Sequence, residues 1–134
     1  WLSDRYDNRW LLFWYYGLRG LSLLYLPMTG FDPYLLSIFA VFYGLDWVAT
    51  VPPTVKLAAE RFGAEKAGLV FGWVFAAHQL GAATAAYGAG WSRTDLDSYV
   101  PALLVAGGFC LAAAALCLTI DRRRQPTAPA PQAA

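Results

Sequence analysis

Charge is what this sequence has least of. Of its 134 residues, 14% are Asp, Glu, Lys or Arg and 58% are hydrophobic, where a soluble domain carries roughly 25% charged residues. The deficit is concentrated in four stretches. Residues 10–31 hold one full charge, Arg19, and residues 34–55 hold only Asp46. Residues 67–91 hold none beyond His78, and residues 99–120 hold none at all. Each stretch is long enough, at about 1.5 Å rise per residue, to cross a hydrocarbon core of about 30 Å. Helices this bare cannot face water on one side, which excludes nucleic-acid binding and water-soluble enzyme chemistry. Cysteine is also scarce. Cys110 and Cys117 lie one heptad apart, about 10 Å along a helix, too far to bridge, and no cluster of His, Cys or carboxylates accompanies them. Neither a metal site nor a cofactor is expected. No nucleophile–base pair is visible either, so the protein is not expected to be an enzyme. Methionine occurs once, at Met28. With Trp1 leading and no basic segment running into a cleavage site, the chain reads as a fragment of something longer.

What charge there is fixes a topology. With four spans and both ends in the cytoplasm, the inner side holds Arg5, Arg9, Lys56, Arg61, Lys66, Arg122, Arg123 and Arg124, and the outer loops only Arg93. This is the asymmetry that Lys and Arg show in short cytoplasmic loops, and it implies a multi-pass protein of the inner cell membrane. Punctuation agrees. Pro27 and Gly30 close the first span, and Asp32-Pro33 opens the second as cap and first helical residue. Pro52-Pro53 removes two backbone donors and must kink or end the second helix; residues 55–61 continue as a helical turn that Gly63 stops. Residues 92–98 form a polar loop with Asp95 and Asp97. Residues 121–134 lack apolar periodicity and read as a disordered cytoplasmic tail.

Ionisable groups inside a span cost about 2.5–3.5 kcal/mol at its centre and mark functional candidates. Arg19 lies about 13 Å above the inner boundary, Asp46 about 12 Å and His78 about 16 Å, all near the midplane. Arg19 and Asp46 sit at matching heights on consecutive antiparallel spans, so an ion pair between them is expected. It acts either as a structural staple or as a working pair, with Arg19 anchoring a substrate carboxylate or Asp46 carrying a proton. His78-Gln79 is a polar step in an apolar helix, either an interhelical hydrogen-bonder or part of a solute path. Trp47 and Trp73 either wall a cavity or pack. In the third span Gly68, Gly72 and Ala76, and again Ala77, Gly81 and Ala85, repeat every four residues, a pattern that lets helix backbones approach closely. Gly107 and Gly108 offer the same in the fourth.

The leading segment, residues 1–9, is a cytoplasmic loop directly before a span. Its Asp4, Arg5 and Arg9 resemble the loop signature of the major facilitator superfamily, Gly-x-x-x-Asp-Arg-x-Gly-Arg-Arg; Asp7 stands where the family favours Gly. Tyr43-Gly44-Leu45-Asp46-Trp47, Val51-Pro52-Pro53-Thr54 and Gly68-Leu69-Val70-Phe71-Gly72-Trp73 are similar to its monocarboxylate and oxalate–formate exchanger relatives. The resemblance covers residues 1–120. It implies an all-α integral membrane fold in which the four spans are helices nine to twelve of twelve, completed by missing N-terminal helices of the same transporter. It further implies alternating access, a cytoplasmic gate containing Asp4, Arg5 and Arg9, a cavity lined by the second and third spans, and a small organic solute, a monocarboxylate or other organic anion, moving with or without a proton. The exchangers' eleventh-helix Lys is absent, and His78 occupies that depth. The rival readings are a self-contained four-helix membrane protein with a structural role, and a small four-helix exporter acting as a dimer, which commonly needs an acidic residue where this first span carries Arg19.

Overall fold

Every regular element among the described residues, 2–30 and 32–120 of the computed structural model, is a helix. The side chains of Phe42, Leu45, Asp46 and Trp47 lie outside the described set, as does the expected disordered tail, residues 121–134. In chain order the helices are α1 (Leu2–Arg5), α2 (Asn8–Tyr25), α3 (Pro33–Ala49), α4 (Val51–Phe62), α5 (Ala64–Asp95) and α6 (Val100–Leu118). A 3-10 turn, Leu26–Thr29, follows α2 directly.

Local chemistry sets these boundaries. Asp7 caps α2 by accepting the Arg9 N–H at 3.1 Å, satisfying a donor that the first turn leaves open. Gly30, at φ 63°, turns the chain out of the 3-10 segment in the left-handed conformation that glycine adopts without strain. Asp32 Oδ1 then accepts the N–H groups of Tyr34 at 2.9 Å and Leu35 at 3.3 Å, with Pro33 in the first turn of α3.

The break between α3 and α4 follows from two missing hydrogens. In a continuous helix the nitrogens of Pro52 and Pro53 would donate to the carbonyls of Val48 and Ala49, and proline has no hydrogen to give. The helix closes at Ala49, Thr50 turns its N–H back to the Val48 carbonyl, and a new helix begins at Val51 with the prolines in its first turn, where no donor is needed. Gly63, at φ 86°, then separates α4 from α5. α5 runs further than the sequence suggested, through Asp95. Ser92 and Thr94 stay helical because Thr94 donates to the Gly90 carbonyl at 3.0 Å. Ser92 reaches across the turn to the Ser98 carbonyl at 2.7 Å. The polar loop shrinks to residues 96–99.

α2 and α6 form the main packed pair, running antiparallel. Arg9, at the start of α2, donates to the Ile120 carbonyl just past the end of α6 at 2.7 Å. Midway, the backbones meet at two glycines. A Cβ on Gly20 would lie 3.0 Å from the Gly107 carbonyl, and one on Gly107 would lie 2.8 Å from Leu24. Leu11, Leu12, Leu23 and Ala114 are buried. α4 wedges between α2 and α5 with Pro53 and Ala58 buried, while α3 leans lightly on α2 and the 3-10 turn. The end carrying α1, Gly63 and the end of α6 is termed the base.

Among the described residues two helices, α5 and α6, are long and apolar enough to cross a membrane. The expected four-span count also needs α2, of 18 residues, and α3, of 17. α5 touches α4 and, more lightly, α6, and its apolar window is 0% buried. The glycines among the small residues expected to clamp it meet nothing among the described residues: a Cβ on Gly68, Gly72 or Gly81 would stand in open space. The close approach sits at Gly20 and at Gly107, one of the two glycines expected to allow it in the fourth span. Gly107→Val is therefore expected to destabilise the α2–α6 pair by about 1–3 kcal/mol through overpacking, and Gly108→Val, which meets nothing, by much less. Unfolding midpoints of both variants in mild detergent measure the difference.

Candidate functional site

Gly20 faces α6, and Arg19, one residue and 100° round the helix, faces elsewhere. Arg19 is 9% exposed as a residue, and its guanidinium stands 5.7 Å from the ring centroids of both Tyr16 and Tyr43. Tyr16 lies one turn back on α2, and Tyr43 comes from α3. Arg stays charged at any accessible pH, so burial demands compensation, and the electron-rich faces of two aromatic rings supply part of it. This cation is thus one contact through which α3 meets α2 at mid-helix. Asp46 occupies the α3 position three residues after Tyr43, a spacing that shares a helix face. Its side chain and that of Trp47 fall outside the described set, and with them the expected Arg19–Asp46 ion pair.

The other candidates stand apart. His78 and Gln79 are exposed on α5, His78 with its ring stacked on Phe75 at 6.2 Å, and Trp73 is 73% exposed. The structure brings Arg19 to two tyrosines and leaves the His78 step facing outward.

At the base, the loop residues tie three helices together. Asp4 Oδ1 accepts from Lys56 Nζ of α4 at 2.7 Å, and the same ammonium donates to the Ser3 carbonyl at 2.8 Å. Arg9 grips Asp7 through two nitrogens, at 3.2 and 2.8 Å, while its remaining nitrogen caps the carbonyl end of α6, where a cation suits the helix dipole. Asn8 is 3% exposed and donates to Glu60 of α4 at 3.3 Å. Its Oδ1 is buried with no partner among the described residues, a cost of about 1–3 kcal/mol. Arg5 is exposed. The Lys56 ammonium holds the Asp4 carboxyl below its ordinary range. Sequence reasoning missed Lys56, Asn8, Glu60, Tyr16 and Tyr43. A signal for two of them was present: Lys56 and Glu60 are spaced i, i+4 on α4 and so share one face.

Between α1, α2 and the α3–α4 break lies a cavity of about 420 Å³, lined by Asp4, Lys56, Tyr15, Ala49 and Pro52 among others. The described residues contain no group of three or more His, Cys, Asp or Glu able to hold a metal ion.

The family model of the Major Facilitator Superfamily matches residues 1–134. The chain belongs to the major facilitator superfamily. Membership gives it a secondary-transporter role in a membrane, which its apolar helices fit. Comparison with curated proteins and with solved structures found no match.

Two outcomes follow for this superfamily member. Tyr43→Phe keeps a ring face over Arg19, whereas Tyr43→Leu keeps similar bulk without one. The Leu variant is expected to be less stable than the Phe variant by about 0.5–2 kcal/mol, read from denaturant unfolding in detergent. Because Asp4 has a lowered folded-state pKa, its tie to Lys56 is present above the ordinary carboxylate pKa and lost only as pH falls through the lowered value. In Lys56→Met the Asp4 titration, followed by NMR of the carboxyl carbon, is expected to rise toward the ordinary carboxylate range.

Proposed function

We propose that this chain forms helices nine to twelve of a twelve-helix transporter that moves a small monocarboxylate or related organic anion. α2, α3 with α4, α5 and α6 then supply the four spans. The base carries Arg5, Arg9, Lys56, Arg61 and Lys66 and faces the cytoplasm of the inner membrane, and the bare faces of α5 pack against further helices of the same transporter. Asp4, Arg5 and Arg9 belong to the cytoplasmic gate, and His78 and Gln79 face the solute path from α5.

The observation that carries the reading is Arg19. A permanent cation, buried mid-helix between two tyrosines in a chain of this superfamily, is the natural acceptor of a carboxylate. Secondary transporters bind solutes at that depth, and a desolvated guanidinium offers a fork that matches a carboxylate's two oxygens. Tyr16 and Tyr43 hold the fork in place, and Asp46 balances its charge when the site is empty or carries the coupled proton. The uncovered flanks of α5 favour a transporter part over a self-contained four-helix protein.

Uptake of radiolabelled lactate into proteoliposomes tests this. Arg19→Gln is expected to abolish saturable uptake, and Arg19→Lys to keep a fraction of it with a raised KM, since Lys offers charge without the fork. Undiminished uptake by Arg19→Gln would end the reading. Asp46→Asn separates that residue's two roles: a proton carrier leaves a folded protein whose uptake no longer varies with pH, whereas a staple leaves little folded protein.

A further inference from the structure

We propose that Lys56 is a second carboxylate-binding site for the transported solute, at the base of the molecule, and that Asp4 occupies it as a built-in stand-in for the solute. The inference rests on the proposed organic-anion substrate and extends it to residues outside the Arg19 site.

Three observations meet at this point. First, the Lys56 ammonium already binds a carboxylate, that of Asp4, at 2.7 Å. An ammonium has three donors, and its other bond among the described residues goes to the Ser3 carbonyl at 2.8 Å. Second, the two partners differ in how firmly they are held. The Asp4 side chain is 72% exposed and that of Lys56 36%. Asp4 rides on a four-residue helix, α1, in which no residue is buried. A carboxylate so placed returns to water at little cost, so a solute carboxylate can replace it. Lys56 is anchored in α4, whose Pro53 and Ala58 are buried.

Third, the pair opens onto the cavity of about 420 Å³, which offers apolar surface from Ala49 and Pro52 and a phenol from Tyr15. That suits a short carboxylate with a small apolar or hydroxylated body and is too small for a lipid or a peptide. Tyr15 also links the two sites. It precedes Arg19 by four residues on α2, about 6 Å along the axis and on the same face. A carboxylate that leaves Arg19 toward the base passes Tyr15 and meets Lys56. Asp4 then acts as a competitor that closes the exit when solute is scarce.

Lysine acylation tests the proposal without depending on transport. Purified protein is treated with a water-soluble acetylating ester, and modification of Lys56 is followed by peptide mass spectrometry, with exposed Lys66 as the internal reference. In the wild type Lys56 is expected to react more slowly than Lys66. Asp4→Asn is expected to speed Lys56 severalfold and leave Lys66 unchanged. Sodium lactate is then expected to slow Lys56 in Asp4→Asn saturably, while sodium chloride at equal ionic strength and neutral lactamide do not. If Asp4→Asn leaves the Lys56 rate unchanged, or lactate protects no better than chloride, the proposal is wrong. The double variant Asp4→Asn with Arg19→Gln keeps the two readings distinguishable. Lactate protection of Lys56 that persists there supports a separate site even if Arg19 proves unnecessary for uptake. Protection that vanishes with Arg19 shows that no independent site exists at Lys56.

Discussion

The close approach of α2 and α6 at Gly20 and Gly107 is the constraint on which the rest of the molecule hangs. Neither residue has a Cβ, so the two backbones come nearer than any other pair of side chains would allow, and carbonyl oxygens sit where methyl groups would otherwise be. In lipid, where apolar surface gains nothing by leaving its surroundings, such contact is a main source of helix association. It also orients Arg19. With Gly20 committed to α6, this neighbouring residue is turned away from that seam toward α3, where Tyr43 receives it.

A second set of ties closes the base. Lys56 joins α4 to α1, Asn8 joins α2 to α4 through Glu60, and Arg9 joins α2 to the end of α6. All three start from the few residues around Asp4–Arg9, so a short polar segment becomes the hub for three helices. The mid-helix charge and the basal hub therefore differ in kind. Arg19 is buried and costly to leave uncompensated, while the Asp4–Lys56 tie is water-facing and weak, as exposed ion pairs are.

Much of this was legible in the sequence where chemistry is local. Asp32-Pro33 starts a helix, Gly63 stops one and Pro52-Pro53 breaks one for reasons that involve only neighbouring backbone atoms. The scarcity of charge and the Asp4-Arg5 and Arg9 pattern pointed to the superfamily. What stayed hidden depended on which helix meets which. Small-residue repeats pointed to α5 as the closely packed helix, yet spacing alone says only that close packing is sterically allowed. Of the pair that uses it, Gly107 stood among the glycines read as allowing close approach, whereas Gly20, far away in sequence, had no repeat to announce it. Tyr43 was one aromatic among many until a cation from another helix selected it. The α5 helix outran its expected end because Ser92 and Thr94 satisfy themselves on carbonyls, something a polar composition conceals.

The 32 unbroken residues of α5 amount to a rod about 48 Å long, against a hydrocarbon layer of about 30 Å. Such a rod either leans or reaches past the layer, and its polar last turns, Ser92 to Asp95, suit the reach. Unlike α3 and α4, it has no proline in which a bend could be absorbed. Tilting it by about 10° about its middle swings each tip by about 4 Å in opposite senses. α5 therefore turns as one piece, and whatever tilts its far end is felt at the end that packs against α4.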